Sequence, residues 1–129
     1  MSATILLIED NEQNRYLVTF LLERFGHRVT MAPDGPSGLA LARRQSFDLV
    51  LLDIQLPGLD GYAVARALRA DPITRDLPIV AVTSYAMAGD REQILAAGCN
   101  GYLEKPIDPD TFVADVTGFL RQSRSGGAS

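Results

Sequence analysis

Four polar residues each stand where a short apolar run ends: Asp10, Asp53, Thr83 and Lys105. If the runs are parallel strands, their carboxyl ends share one edge of a sheet, where ligands of open α/β sheets bind. Carboxylates, a hydroxyl and an ammonium at one edge are the groups needed to hold a divalent cation and a phosphoryl group. The pattern therefore predicts chemistry on a phosphoryl group at this edge.

The carboxylates carry the metal prediction. Glu9 and Asp10 follow the first run, and Asp53 ends the third. Asp10 or Asn11 could instead simply cap the first helix, and Asp53 could be a loop cap. However, a charge at a buried strand end is costly unless it is paired or bound to a metal. At a separation of about 4 Å, Asp10 and Asp53 would repel by about 4 kcal/mol at an effective dielectric of about 20. A cation would relieve this repulsion, and oxygen-only ligands favour Mg²⁺ over zinc.

The other candidates are less distinctive alone. Thr83 could be an ordinary β-branched strand residue, and Lys105 a solvated loop charge. Pro106 allows a cis peptide bond, and a rigid turn there would aim the Lys105 ammonium back toward the carboxylates. Tyr102 is either a packing residue or a ring that changes rotamer as Thr83 moves.

The elements that position these residues alternate along the chain. Apolar runs predict five strands, at 4–8, 28–32, 48–52, 78–82 and 101–104. Helical spacing and terminal signals predict five helices, at 11–25, 36–45, 61–70, 88–97 and from 108 onward. In the first helix the predicted inward residues are Leu17, Val18, Leu21 and Phe25.

Alternating strands and helices predict a parallel sheet with right-handed crossovers. The run 28–32 is the most polar and so the best edge strand. The predicted fold class is α/β, a doubly wound five-stranded parallel sheet in the flavodoxin-like order 2-1-3-4-5 with five helices. In that order, Asp10 and Asp53 face each other.

Composition limits the function classes. A chain of 129 residues with a formal net charge of -4 fits one domain and argues against a nucleic-acid or anionic-membrane surface. A lone Cys99 excludes an internal disulfide and a Cys-based zinc site, and Cys99 and His27 are predicted to be structural. No apolar stretch approaches the ~20 residues of a transmembrane helix, so we expect a cytoplasmic protein. The predicted domain covers 1–121, and the small polar residues 122–129 are predicted to form a flexible tail.

Tyr16 and Phe20 fall on the outer side of the first helix, roughly opposite its inward stripe. An exposed aromatic pair suggests a partner surface, although neighbouring long side chains could also cover it. Both interpretations stay open.

Four segments resemble a known family: 8–11, 51–61, 82–84 and 102–106. In their order and spacing they are similar to the CheY-like receiver domain of two-component response regulators, over residues 3–121. The segments 53–57 and 86–90 are most similar to single-domain receivers of the DivK type. One departure is Glu9, where many relatives carry Asp.

The resemblance implies a phosphoacceptor. Asp53 would accept a phosphoryl group from a histidine kinase or a histidine phosphotransfer protein. Mg²⁺ would be held by Glu9, Asp10, Asp53 and the carbonyl of Gln55, with Glu9 acting through water.

The resemblance also implies roles for the other candidates. Thr83 and Lys105 would hold the phosphoryl oxygens, and Thr83 and Tyr102 would form the switch. We further predict that Gln55 and Tyr85 control the water that hydrolyses the acyl phosphate.

The output would be contact with a downstream protein. The chain ends soon after the last predicted helix, so we expect no DNA-binding or enzymatic output domain if the chain is complete. We expect no direct contact with nucleic acid or membrane, and a monomer or weak homodimer. The domain would catalyse its own phosphorylation and dephosphorylation without being an enzyme for a separate substrate.

Three alternatives compete with this interpretation. A metal-dependent phosphatase with an aspartyl-phosphate intermediate usually has a second Asp two residues after the nucleophile, where this chain has Gln55. A flavodoxin-like nucleotide binder would need a glycine-rich phosphate loop, and the turn 9–12 is acidic. A pseudo-receiver that only docks partners does not need the complete set of acids, hydroxyl and ammonium.

Overall fold

Five parallel strands alternate with five helices over residues 2–56, 58–84 and 88–128, which the computed structural model describes. In chain order the elements are β1 (Thr4–Ile8), α1 (Glu12–Arg24), β2 (Arg28–Ala32), α2 (Gly35–Arg44), β3 (Leu49–Asp53), α3 (Gly61–Ala70), β4 (Ile79–Thr83), α4 (Ala88–Ala96), β5 (Gly101–Glu104) and α5 (Phe112–Ala128). The sheet order is β2-β1-β3-β4-β5. The predicted fold class and strand order are confirmed.

The central strands are buried on both faces, which explains why their sequences are apolar at nearly every position. Successive residues of β1 enter two separate hydrophobic clusters, with Leu6 in one and Ile5 in the other. The edge strand β2 is the most polar, as predicted, and it pairs only with β1 among the described strands. The helices therefore cover both faces and leave the carboxyl edge of the sheet for the site.

The inward face of α1 differs from the prediction at its end. Val18, Leu21 and Leu22 are buried, whereas Phe25 is 60% exposed. The helix ends at Arg24, and Phe25 is already its C-cap residue, so the helical spacing no longer directs that ring inward. Leu22, which the sequence analysis did not select, is completely buried instead.

Two predicted strands are shifted by one residue. Asp53 and Thr83 are the last residues of β3 and β4 rather than the first residues after them. At the chain's end, α5 continues as helix to Ala128, whereas the sequence analysis assigned 122–129 to a flexible tail. Each residue added to a formed helix adds a backbone hydrogen bond, so the loss of the apolar stripe after Leu120 does not by itself end the helix. Mobility of this segment stays a prediction.

His27 and Cys99 are both buried, in keeping with structural roles. The His27 Nδ1 accepts a hydrogen bond from the Ala3 amide at 3.0 Å, and burial lowers the pKa of the imidazole. Burial raises the pKa of the Cys99 thiol to about 11. Within the described ranges, none of the helices combines the length and apolar composition that a membrane crossing requires.

Candidate functional site

The loop after β1 presents two carboxylates. Asn11 caps α1, because its Oδ1 accepts a hydrogen bond from the Asn14 amide at 2.9 Å. The cap therefore does not require Asp10, whose carboxylate is exposed at the carboxyl edge. Glu9 is buried, and its Oε2 accepts a hydrogen bond from the Asn11 amide at 3.2 Å.

Sequence reasoning missed the residue that holds this loop. The Arg15 guanidinium donates 2.9 Å hydrogen bonds to the carbonyl oxygens of both Glu9 and Asp10. These bonds fix the backbone from which the two acidic side chains extend. The available signal was a basic residue in the first turn of a helix that follows an acidic loop.

Asp53 ends β3 with its side chain only 2% exposed. Its Oδ1 accepts a hydrogen bond from the Gln55 amide at 2.9 Å, and its Oδ2 lies 3.1 Å from the Lys105 Nζ. The same Nζ lies 3.3 Å from Oε1 of Glu9. One ammonium therefore pairs with two buried carboxylates, which partly offsets the cost of burying them.

The three acids converge as predicted. One carboxylate oxygen from each of Glu9, Asp10 and Asp53 lies within 4.8 Å of the other two. Three carboxylates face one ammonium, so the fully ionised group retains two negative charges. An oxygen-only donor set with unneutralised charge has the chemistry that Mg²⁺ requires.

The pKa values respond to this crowding. Burial, together with the hydrogen bond and charge of Asp53, raises the pKa of Glu9 to about 7. Burial alone would lower the pKa of Lys105, but its hydrogen bond to Asp53 and the charges of Asp53 and Glu9 outweigh burial and raise it. Lys105 is therefore a permanent cation at this edge. The longer side chain of Glu9, compared with Asp, is what contacts Lys105 here.

Lys105 reaches the acids from the loop after β5. Its amide donates a 2.8 Å hydrogen bond to the Thr83 carbonyl oxygen, which ties this loop to the end of β4. The Lys105–Pro106 peptide bond is cis, in line with the prediction from the sequence. The ammonium lies against the carboxylates, as the sequence analysis expected.

Thr83 and Gln55 form a second group beside the acids. Thr83 is buried at the end of β4, and its Oγ1 accepts a hydrogen bond from Nε2 of Gln55 at 2.8 Å. The Ser84 amide lies 3.3 Å from Oε1 of Gln55. This role of the Gln55 side chain was missed, because the resemblance assigned only its backbone carbonyl to the metal. Tyr85, the other residue predicted to control water, lies outside the described residues.

Tyr102 lies in the packing between β5 and α4. It is half-buried against the core cluster that contains Cys99, and the Arg91 guanidinium carbon lies 5.6 Å from its ring centroid. The role of Tyr102 as a switch stays a prediction.

Tyr16 and Phe20 are both exposed on α1, at 73% and 49%. Their rings stack with centroids 6.4 Å apart and an interplanar angle of 11°. The aromatic pair therefore packs on itself rather than under neighbouring side chains. A partner for this surface stays a prediction.

Comparisons with known proteins agree with this geometry. The family model described as "Response regulator receiver domain" matches residues 5–117. The chain belongs to the response regulator receiver domain family. Members of this family are signalling domains rather than conventional enzymes, and the match does not favour the phosphatase alternative.

Individual relatives refine the likeness. The chain is 38% identical to the polar-differentiation response regulator DivK of Brucella ovis over 120 residues, which are 93% of this chain and 98% of DivK. It is 42% identical to the response regulator PleD of Caulobacter vibrioides over 121 residues, 94% of this chain. The chain spans only 27% of the length of PleD. The predicted similarity to DivK-type receivers is confirmed, with PleD similar as well.

A solved structure shares both fold and sequence. The receiver domain of the sensor histidine kinase PA1611 from Pseudomonas aeruginosa is 40% identical, with a TM-score of 0.82. The match covers 95% of this chain and 97% of that one. The PA1611 structure has a magnesium ion coordinated in its active site cleft.

Proposed function

We propose that Asp53 accepts a phosphoryl group from a histidine kinase or a histidine phosphotransfer protein, in a reaction that depends on Mg²⁺. The observation that carries this proposal is the pairing of Asp53 with Lys105 at 3.1 Å inside a group of three carboxylates. A nucleophilic carboxylate, a fixed cation and a metal donor set are the parts that phosphoryl transfer needs, because alignment and charge neutralisation supply most of its catalysis.

Glu9, Asp10, Asp53 and the carbonyl of Gln55 would hold the Mg²⁺, with Glu9 acting through water. The magnesium reported for the PA1611 receiver supports this choice of ion. When bound, Mg²⁺ supplies neutralisation of the phosphoryl oxygens and a template for in-line approach.

The chain's own residues account for the transfer step. A carboxylate oxygen of Asp53 forms the new O–P bond while the N–P bond of the phosphohistidine breaks, and the leaving imidazole nitrogen keeps that electron pair. Lys105 already lies against Asp53, so its ammonium would neutralise part of the charge on the phosphoryl oxygens without moving far. The domain thus catalyses its own phosphorylation.

The acyl phosphate would then shift a conformational equilibrium. A phosphorylated side chain carries close to two negative charges and several acceptor oxygens. We infer that the Thr83 hydroxyl moves to donate to one of them and that Tyr102 moves inward. This changes the surface offered to a downstream protein, and the phosphate need only favour the active arrangement by a few kcal/mol.

Loss of the phosphoryl group requires water. We infer that Gln55 and Tyr85 control its access and so set the lifetime of the signal. The test is to replace both residues and to follow the return of the unphosphorylated mass. An unchanged rate of phosphate loss would refute this assignment.

Tyr16 and Phe20 are proposed as the partner surface, because exposed stacked rings offer apolar area to another protein. We expect a monomer or weak homodimer, measured by light scattering. The cytoplasmic location stays a prediction, for cell fractionation to test.

The test is incubation with acetyl phosphate, with and without Mg²⁺, followed by intact mass. We expect one added phosphoryl group only with Mg²⁺, absent in Asp53→Ala and retained in the control Asp115→Ala, which removes an exposed carboxylate of α5. Phosphorylation of Asp53→Ala would refute the assignment of Asp53. Steady turnover of excess small phosphoester would favour the phosphatase.

A further inference from the structure

We propose that the Gln55 side chain is a positioning residue that holds the Thr83 hydroxyl in the unphosphorylated arrangement and so opposes activation. The Gln55 side chain donates a hydrogen bond to Thr83 Oγ1 at 2.8 Å and accepts one from the Ser84 amide at 3.3 Å. We call these two hydrogen bonds the Gln55 bridge. This inference rests on the proposed function, because it concerns how the switch responds to a phosphoryl group on Asp53.

The chemistry of the partners determines how the Gln55 amide is oriented. The Ser84 backbone N–H can only donate, so the Gln55 atom facing it must be the carbonyl oxygen. The NH₂ group therefore faces Thr83 and donates to its hydroxyl oxygen. Gln55 thus contacts the end of β4 at two consecutive residues, which a shorter or apolar side chain could not do.

The same residue also contacts the phosphoryl acceptor. The Gln55 backbone amide donates a 2.9 Å hydrogen bond to Oδ1 of Asp53. Because Asp53 and Thr83 are buried, water does not readily replace the hydrogen bonds that Gln55 makes with them. Gln55 therefore links the phosphorylated residue to the switch residue through its own backbone and side chain.

The Gln55 bridge stabilises the inactive arrangement relative to the active one. When Thr83 moves toward a phosphoryl group on Asp53, its hydroxyl leaves the Gln55 amide, and the bridge is lost or rearranged. The apparent affinity of a ligand that requires the active arrangement is reduced by the fraction of molecules that are in that arrangement. One or two hydrogen bonds of ordinary strength correspond to a factor of about 5 to 30 in this population.

The experiment uses beryllium fluoride with Mg²⁺ as a stand-in for the phosphoryl group on Asp53. Gln55→Met removes the amide while keeping the length of the side chain. We expect Gln55→Met to bind beryllium fluoride about 5- to 30-fold more tightly than wild type. Mg²⁺ is kept saturating for every variant, and the control Asp115→Ala, which removes an exposed carboxylate of α5, should bind beryllium fluoride as tightly as wild type. Gln55→Leu provides a second variant without the amide, in case Gln55→Met does not fold.

A double-mutant cycle shows whether Gln55 acts through Thr83. In a Thr83→Val background, which lacks the hydroxyl, Gln55→Met should change beryllium fluoride affinity by less than about twofold. The same tightening in both backgrounds, or no tightening in wild type, would overturn the Gln55 bridge and leave the proposed function intact. Absence of beryllium fluoride binding in wild type, or binding that survives Asp53→Asn, would overturn the proposed function and the bridge with it.

Discussion

Neutralising Asp10 should have opposite effects on stability without and with magnesium. One oxygen from each of the three carboxylates lies within 4.8 Å of the other two, and at that separation a pair of unit charges repels by about 0.9 kcal/mol in water and about 3.5 kcal/mol at an effective dielectric of about 20. Asp10 is exposed, so screening by solvent favours the smaller figure. In the presence of EDTA, Asp10→Asn should raise the free energy of unfolding by about 1 kcal/mol and the Tm by roughly 3–5 °C.

Magnesium should reverse this order. A ligand that binds only the folded state at 100 times its Kd stabilises it by about 2.7 kcal/mol. Asp10→Asn removes one of three carboxylates from the donor set, so it should lose most of that gain. Thermal unfolding followed by circular dichroism, with EDTA and with excess Mg²⁺, measures both effects in the same two proteins.

The matched control is Glu23→Gln, which removes an exposed carboxylate of α1 outside the acidic group. Its Tm should shift with Mg²⁺ by the same amount as that of the wild type. A lower stability of Asp10→Asn than of wild type in EDTA would show that the three carboxylates do not destabilise the metal-free protein by repulsion. If Mg²⁺ raises the Tm of Asp10→Asn as much as that of wild type, Asp10 is not part of the metal site.

Three further predictions concern stability. In Gly61→Ala, the new Cβ would lie 2.5 Å from the Asp53 carbonyl oxygen, so denaturant unfolding should show a loss of about 1–3 kcal/mol and acetyl phosphate labelling should slow. Leu22→Ala should cost about 2–5 kcal/mol in the same assay, whereas Phe25→Ala should cost about 0.5 kcal/mol or less; similar losses would contradict the burial described for α1. Burial lowers the pKa of His27 in the folded protein. Below the ordinary histidine pKa near 6.5 the unfolded chain therefore binds more protons than the folded protein, so stability falls as the pH drops toward the folded pKa. His27→Gln should remove this part of the pH dependence of stability, and an unchanged slope would contradict the prediction.

The sequence predicted the fold well because its strands are short, apolar and separated by clear helix signals. Strand order followed from one further fact, the polarity of the run 28–32, which placed that strand at an edge. The convergence of Asp10 and Asp53 followed from that order and needed no side-chain information. Topology therefore explains why the acidic group could be predicted.

Features that depend on side-chain reach could not be predicted in the same way. Residues 18, 21, 22 and 25 all suit one helical face, and the end of the helix at Arg24 is what leaves Phe25 exposed. The contacts of Arg15 with two carbonyl oxygens and of Gln55 with Thr83 depend on rotamers and on neighbours distant in sequence. Periodicity contains no information about such contacts.

The charge balance of the site indicates why phosphorylation should require a cation. Lys105 already pairs with both Asp53 and Glu9, so it cannot also neutralise a new phosphoryl group in full. Phosphorylation of Asp53 would add negative charge beside Asp10 and the ionised fraction of Glu9, and both would oppose it until a cation is bound. We infer that the acids would do more than hold the metal, because they would also suppress the reaction in its absence. It follows that Asp10→Asn should narrow the difference between acetyl phosphate labelling rates with and without Mg²⁺, measured by intact mass. An equal or larger dependence on Mg²⁺ in Asp10→Asn would show that repulsion from this carboxylate does not limit the metal-free reaction.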